Sequence, residues 1–584
     1  MLGKITAIND NEVEVTLTDG LASVKNLLNY HVIFEESNYK VVGEIKEVTS
    51  NKIKAVLLGE IANNIFLAGV IKRPSLSSDC RIIQKQELDI LIGNFSEGKK
   101  LYIGKMPIYD DYPINININD FFAHHFSIFG NTGSGKSYAV ARILQNIFYN
   151  PKAVAKKAHI FIFDAYGEYQ NAFIKLKDAS PELSFKTYTT NLKFPDTEIL
   201  KIPLWLLGID DIALLLGADN HIQLPIIEKA LRLVSVFAND EEKVIIYKND
   251  IIARSLLDIM YGGGSGPQIR DHVIAILTSF KTKDLNLDTK IIQPGYIRTL
   301  RQCLIIDKDG KLHEIQLVAE FLTQFIKEGL QLQLPDGTYP FTLEHLKEAF
   351  DFALISEGIL NSDKVYDYAN ILKVRLHSLI SSDYRQYFSC NEFVTKEQFV
   401  KKLLTSPTGG ESQIVNFNIN YIDDRFAKVI SKIYAKILYE FAANLGDRAS
   451  FPIHIILEEA HRYVQNDNDR FLLGYNIFDR ITKEGRKYGV LLGLISQRPS
   501  ELSETTLSQC SNFLIFKMVH PQDTAYIKNM VPNITNEIVE KLKTLQPGTC
   551  VAFGTAFKIP TIVRFDSPDP TPESHNADIS NKWY

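Results

Sequence analysis

Eight consecutive residues restrict what this chain can fold into. Gly130-Asn131-Thr132-Gly133-Ser134-Gly135-Lys136-Ser137 matches the pattern G-x-x-x-x-G-K-[ST] in full. The chemistry needs glycines so that backbone N–H groups can curl around phosphate oxygens. Lys136 is placed to reach the β and γ phosphates, and the Ser137 hydroxyl to ligate Mg²⁺. An apolar strand, Phe126–Phe129, precedes the loop, and a helical stretch, Ser137–Tyr149, follows it and adds its positive dipole end. Residues 130–138, Tyr138 included, are therefore the candidate nucleotide-binding segment, with ATP and Mg²⁺ as the expected ligands.

A second half of the site is expected on a later strand. Ile453–Leu457 is an apolar run that ends in Glu458-Glu459, and parallel α/β sheets bind ligands beyond the carboxyl ends of their strands. Glu458 is the candidate to hold the Mg²⁺ hydration shell, and Glu459 the candidate to polarise the attacking water. The usual first residue is Asp, so Glu458 departs from the common pattern. A surface acidic pair at a strand end is the alternative. Gln497, in Ser496-Gln497-Arg498-Pro499, also follows an apolar strand. Its amide can donate to phosphate and accept from water; a plain turn before Pro499 is the alternative. Between these segments lie Arg480, Arg486 and Lys487. Arg486 is the candidate to enter a neighbouring subunit's site and neutralise transition-state charge, against a basic solvated helix face. In Asp164-Ala165-Tyr166-Gly167-Glu168-Tyr169, either Asp164 or Glu168 is a candidate to face the nucleotide or a neighbouring subunit. A turn without chemistry accounts for those residues equally well.

The rest of the chain gives these motifs a frame. At about 100–200 residues per domain, 584 residues suggest about three domains. Short β-forming stretches up to about residue 115, separated by turns at Asn9-Asp10-Asn11, Asp19-Gly20 and Ser50-Asn51, indicate a small barrel or sandwich. From about 200 to 400 apolar residues recur at helical spacing, as in Ile222–Val236 and Ala319–Leu330. Strand signals return with Gln413–Ile419, Ile453–Leu457, Val490–Ile495, Phe513–Met518 and Cys550–Phe553, and the stretch after Pro568 is polar and Pro-rich. The expected fold is α/β: a RecA-like P-loop ATPase core in two parts, 119–199 and 401–566, with an N-terminal β-barrel (1–118), a mostly helical insertion (200–400) and an extended tail (567–584).

Composition excludes several classes. Five cysteines without CxxC spacing argue against a zinc site and a disulfide framework, and fit a reduced, cytoplasmic compartment. No run of 18 apolar residues predicts a membrane span. The net charge of -5 provides no global basic field, although a ring needs only a locally basic channel to hold nucleic acid. No NKxD or LSGGQ-like segment supports a GTPase or an ABC-type ATPase. The separation of the two motifs is long for a small-molecule kinase. His124-His125, ahead of the loop strand, reads as structural.

These pieces together resemble the HerA/FtsK superfamily, and within it the HerA-type DNA translocases. The matches are GNTGSGKS with the preceding His125–Phe129, the DxxGEY-like Asp164–Tyr169, Leu457-Glu458-Glu459-Ala460-His461 beside the family's LDEAH, and Glu484–Val490 running into Ser496–Pro499. The resemblance implies an N-terminal HAS barrel and a homohexameric ring that moves double-stranded DNA through its pore. It also implies Arg486 as a finger acting in trans, and a partner nuclease or Sir2-like effector in DNA processing or antiviral defence. Tyr188–Lys193 and Arg375–Tyr387 are candidate pore segments. The competing reading is an ATP-gated scaffold that activates a partner enzyme, with translocation secondary.

Overall fold

The computed structural model describes residues 1–18, 27–36, 38–93, 99–150, 154–238, 242–329, 339–358, 363–390, 392–406, 409–530, 536–574 and 578–583. The expected turn at Asp19-Gly20 and the end of the helical stretch at Leu330 lie outside these residues.

Six strands close into a barrel at the N-terminus: β1 (Gly3–Ile8), β2 (Glu12–Leu17), β3 (His31–Glu35), β4 (Lys40–Val48), β5 (Lys52–Ala62) and, after the edge strand β6 (Ile65–Ala68), β7 (Asp79–Ile82). The β2–β5 pairing closes the ring, which leaves β6 appended at the outside. Alternation drives this arrangement. Val13, Val15 and Leu17 point inward while their neighbours in β2 remain part-exposed, and Ile53, Ala55 and Leu57 do the same in β5.

The second sheet contains β8 (Lys100–Met106), β9 (Tyr112–Asn117), β10 (Phe126–Phe129), β11 (His159–Asp164), β12 (Phe185–Thr189), β13 (Glu198–Ile199), then, beyond a separate hairpin of β14 (Lys290–Gln293) and β15 (Tyr296–Thr299), β16 (Ile414–Asn418), β17 (Ile453–Leu457), β18 (Val490–Ser496), β19 (Asn512–Phe516), β20 (Thr549–Gly554) and β21 (Phe557–Arg564). Its order is β13-β12-β16-β11-β17-β18-β10-β19-β20-β21-β8-β9. From β13 to β19 every pairing is parallel. From β19 to β9 every pairing is antiparallel. This corrects one boundary: Lys100–Asn117, assigned to the barrel by the sequence reading, belongs to the large sheet through the Arg564↔Lys105 pairing.

The parallel strands are apolar throughout because both faces are covered. Ile160 and Ile162 of β11 pack with the helix Lys136–Phe148 on one face. Phe161 and Phe163 pack with the helix Asp424–Ala443 on the other. Gly493 in β18 leaves room for a neighbour, since a Cβ there would lie 2.4 Å from the Phe126 ring. The mostly helical region leaves the sheet after β13 and returns at β16. A row of lysines on the helix Asp424–Ala443 ties it down. Lys436 pairs with Asp211 of the insertion at 3.0 Å, Lys428 with Asp467 at 3.2 Å, and buried Lys432 with both Asp467 and Asp469. The tail is not uniformly extended, because Ile579–Trp583 is a short helix.

His125, just ahead of β10, is buried and accepts the Leu492 backbone N–H through Nδ1 at 2.9 Å, which links the loop strand to β18. Burial lowers its pKa to about 4, and the charges of Arg486, His124 and His454 act in the same direction. The folded value lies below the unfolded one, so the unfolded chain takes the proton first as pH falls. The stabilisation is fully present above about 6.5 and is lost progressively towards pH 4, up to about 3 kcal/mol. Melting curves across that window should show a smaller acid-induced fall in Tm for His125→Asn than for the parent chain. Equal falls would exclude His125 as the titrating group.

No described helix is long and apolar enough to cross a membrane.

Candidate functional site

Register brings the motifs together. Phe129 pairs with Ser496, and Phe163 with Leu457. The segments after β10, β17 and β18 therefore leave the sheet at one carboxyl edge, where α/β sheets bind ligands. The loop Gly130–Gly135 runs from β10 into the helix Lys136–Phe148. Its backbone is held from several sides: Gly130 N–H donates to Ser496 O, Asn131 N–H to Lys517 O, and Gly548 N–H to Ser134 O. Gly135 sits at φ 102°, and a Cβ there would lie 2.9 Å from Gly548 N, so glycine is required on both conformational and steric grounds.

Four ionisable side chains meet in front of this loop. Lys136 is buried and donates to Asn131 O at 3.1 Å. Burial lowers its pKa against the opposing pull of Glu458, Glu459 and Glu168. Glu458 is also buried, and its pKa is pushed up to about 8 by burial, with the Glu459 charge adding to the rise. Lys136 and the hydrogen bond from Tyr169 act against it. The Tyr169 hydroxyl donates to Glu458 Oε2 at 2.7 Å. Glu459 occupies the left-handed region at φ 49°, a strained conformation for a residue with a Cβ. Its carboxyl accepts the Gln497 backbone N–H and its pKa is raised by burial, while Oε2 has no hydrogen-bond partner among the described residues. His461 Nδ1 lies 3.2 Å from that oxygen and 3.1 Å from Ser496 Oγ. The Gln497 side chain reaches back to the loop, its Oε1 accepting from Thr132 Oγ1 at 2.6 Å.

The two acidic candidates after β11 have different positions. The Asp164 carboxylate is fully buried and accepts the backbone N–H groups of Gly167, Glu168 and Tyr169 at 2.8, 3.0 and 2.9 Å, as well as Asn416 Nδ2 at 3.2 Å. It shapes the turn. The turn presents Glu168 to the cavity in front of the loop, with Glu168 Oε2 buried and unpartnered.

This cavity holds about 450 Å³. Thr132, Gly133, Gly135, Lys136, Ser137 and Tyr138 line one part of it, and Glu458, Glu459 and Glu168 face them. The donor set suits a triphosphate with a hard cation: backbone N–H groups and an ammonium for the phosphates, and a hydroxyl and carboxylates for the ion. Glu459 Oε2 and Glu168 Oε2, buried without a hydrogen-bond partner among the described residues, belong to side chains that line this cavity, and they suit such a cation. Arg486 does not join this group. It is exposed beside the amino end of β18, near His124 and His125, about 20 Å from Gln497 at the strand's other end.

Sequence reasoning missed Tyr169 and His461 as partners of the acidic pair, and it missed the cavity wall formed by Pro547, Gly548 and residues after β21. The signals for that wall were the turn pair Pro547-Gly548 and Pro at positions 568, 570 and 572.

A family model described as "Helicase HerA, central domain" matches residues 101–326. A probable helicase of Methanocaldococcus jannaschii is 25% identical over 534 residues, covering 90% of this chain and 80% of that protein. The DNA double-strand break repair helicase HerA of Pyrococcus furiosus is 22% identical over 556 residues, covering 93% and 82%. Among solved structures, VirB4 of Thermoanaerobacter pseudethanolicus aligns over 81% of this chain and 98% of that one, at 10% identity and a TM-score of 0.41. The sequence likenesses run through both parts of the large sheet and include the edge that carries the phosphate loop; together they support a HerA/FtsK-type P-loop ATPase.

Proposed function

We propose that this ATPase is a DNA translocase/helicase that works as a homo-oligomeric ring, a hexamer on the family resemblance, with a partner nuclease or other effector. The observation that carries the reading is the division of the catalytic set. The loop, Glu459 and Gln497 lie at one edge of the sheet, and Arg486 lies at the other, where it has no nucleotide of its own to act on. A site completed by the next subunit uses both edges.

Within one subunit the roles follow from position. Lys136 and the loop N–H groups bind and orient the phosphates. Glu459, whose Oε2 lies 3.2 Å from His461 Nδ1, lines the cavity and accepts a proton from the attacking water. Gln497 ties the water position to Thr132 in the loop. The Ser137 hydroxyl and Glu458 would hold a Mg²⁺ ion, which when bound would supply charge neutralisation of the phosphates. Tyr169 orients Glu458, and Asp164 fixes the turn that carries both Tyr169 and Glu168.

Contact with DNA is assigned to the carboxyl edge of β12 and β16. The two candidate pore segments meet there: the Tyr387 hydroxyl donates to Thr190 O at 2.6 Å. Arg375 is engaged by the carbonyls of Leu216 and Gly217, and Tyr188 is buried. Lys193 and Arg385 remain exposed, as do Phe194 (81%) beside Lys193 and Tyr421 (53%), whose backbone N–H donates to Thr190 Oγ1 at 3.3 Å. Lysine and arginine suit phosphates, and exposed aromatic rings suit base or sugar faces. For the partner, the barrel offers Ile65, Leu67, Ile71 and Leu76, all exposed on or just after its edge strand β6.

The test is ATP hydrolysis with and without duplex and single-stranded DNA, alongside DNA binding across a salt series. Stimulation by DNA is expected, and no stimulation by either form would sink the translocase reading. In Lys193→Ala/Arg385→Ala the slope of log K against log[salt] should become shallower by about 1.8 for two lost duplex phosphate contacts. An unchanged slope removes these two residues from the DNA path.

A further inference from the structure

We propose that residues 565–574 are the nucleoside-binding wall of the ATP site, a C-terminal strap that sets affinity for the part of the nucleotide beyond its phosphates. This rests on the reading that Gly130–Ser137 takes a triphosphate. Phe565, Asp566, Ser567 and Ser574 line the same cavity as the loop. With the phosphates on the loop and the carboxylates opposite, these four, beside Tyr166, Pro547 and Gly548, remain to meet the sugar and base.

The strap is built to stay in place. Pro568, Pro570 and Pro572 are buried, while Ser567 and Asp569 between and beside them are exposed. Proline's fixed φ removes much of the entropy cost of holding such a segment still. Its backbone is tied at intervals. Phe565 N–H donates to Gly548 O at 2.9 Å. The buried Gln145 side chain accepts from Asp569 N–H at 3.0 Å and donates to Pro570 O at 2.9 Å. Asn171 Nδ2 donates to Thr571 O at 3.1 Å, and Lys175 pairs with Asp569 at 2.9 Å. Glu573 N–H donates to Glu168 O at 2.8 Å, so the far end of the strap is fixed to the turn that presents Glu168.

Asp566 supplies the polar group. Its carboxylate accepts from the Tyr102 hydroxyl at 2.6 Å and pairs with Lys105 at 2.8 Å. Burial pushes its pKa up, but Lys105 and Tyr102 outweigh burial and hold it below the usual carboxylate value. An ionised, fixed carboxylate is an acceptor for a hydroxyl or amino hydrogen of the nucleoside, and the Ser567 and Ser574 hydroxyls both donate and accept. The Phe565 ring, stacked on Phe516 at 5.7 Å between centroids, anchors the start of the strap to the core.

Calorimetric titration of the full chain with ATP and with inorganic tripolyphosphate tests this. The parent should bind ATP at least tenfold more tightly than tripolyphosphate. A chain ending at Ser567, and separately the full-length Asp566→Ala variant, should lose about tenfold in ATP affinity, as expected for one or two hydrogen bonds. Tripolyphosphate affinity should change less than twofold. Equal loss for both ligands would make the strap a mere support for the loop, and unchanged ATP affinity would remove it from the site; either result overturns the proposal. If the shortened chain does not fold, Asp566→Ala decides alone. A parent that binds neither ligand refutes the triphosphate reading of the loop itself, a failure distinct from that of the strap.

Discussion

Glu459→Gln is expected to bind ATP as the parent chain does and to hydrolyse it about 10²–10⁴ times more slowly. The substitution keeps the size of the side chain and its ability to accept the Gln497 N–H. It removes the only property needed for catalysis, the capacity to take a proton. The phosphate contacts are assigned to Lys136 and the loop, so binding should survive. Single-turnover hydrolysis with a separate ATP-binding measurement checks both halves. Because burial raises the Glu459 pKa, the residual rate of the parent should fall as pH drops and the carboxylate takes up its proton, while the Gln variant should lack that limb. A variant with near-parental turnover would transfer the base role to Glu168, whose Oε2 faces the same cavity without a partner.

Arg486→Ala is expected to lower hydrolysis in the assembled ring by 10³-fold or more, the range for a finger supplied in trans, without weakening nucleotide binding to a single subunit. Its position is the reason: the guanidinium lies a full strand length from its own loop. Mixing gives the sharper result. Arg486→Ala subunits have an intact loop and lack the finger they owe a neighbour. Lys136→Ala subunits have a dead loop and an intact finger. Rings assembled from both should regain hydrolysis at the interfaces where a good loop meets a good arginine. No recovery would confine Arg486 to its own subunit, where its effect on His124 and His125 is the one the structure supports.

The two residues also show how far the sequence could be read. Loop chemistry is local: glycine spacing, a lysine and a hydroxyl within eight residues. The strand before them and the helix after them have periods visible in the chain. The acidic pair is legible for the same reason. Long-range pairing is not. Lys100–Met106 and Tyr112–Asn117 have the same β-forming character as the barrel strands, and only the Arg564↔Lys105 pairing, made across more than four hundred residues, assigns them to the other sheet. Tyr169 looked like one aromatic in a turn, because nothing near it in sequence announces Glu458 as its partner. The strap was read as a polar, Pro-rich tail. That description is correct for its composition, but its burial depends on Gln145 and Asn171, which carry no pattern of their own.

The position of β10 between β18 and β19 has a consequence for biosynthesis. The phosphate loop is made early, but the strands that flank it, and Gln497, which its Thr132 engages 365 residues away, are made late. At 5–20 residues per second that interval is roughly 20–70 s of translation. Through all of it the loop strand lacks the two strands it pairs with in the finished sheet. A partly made subunit has no assembled hydrolysis site. On the proposed roles, ATP turnover is expected only once most of the polypeptide is present.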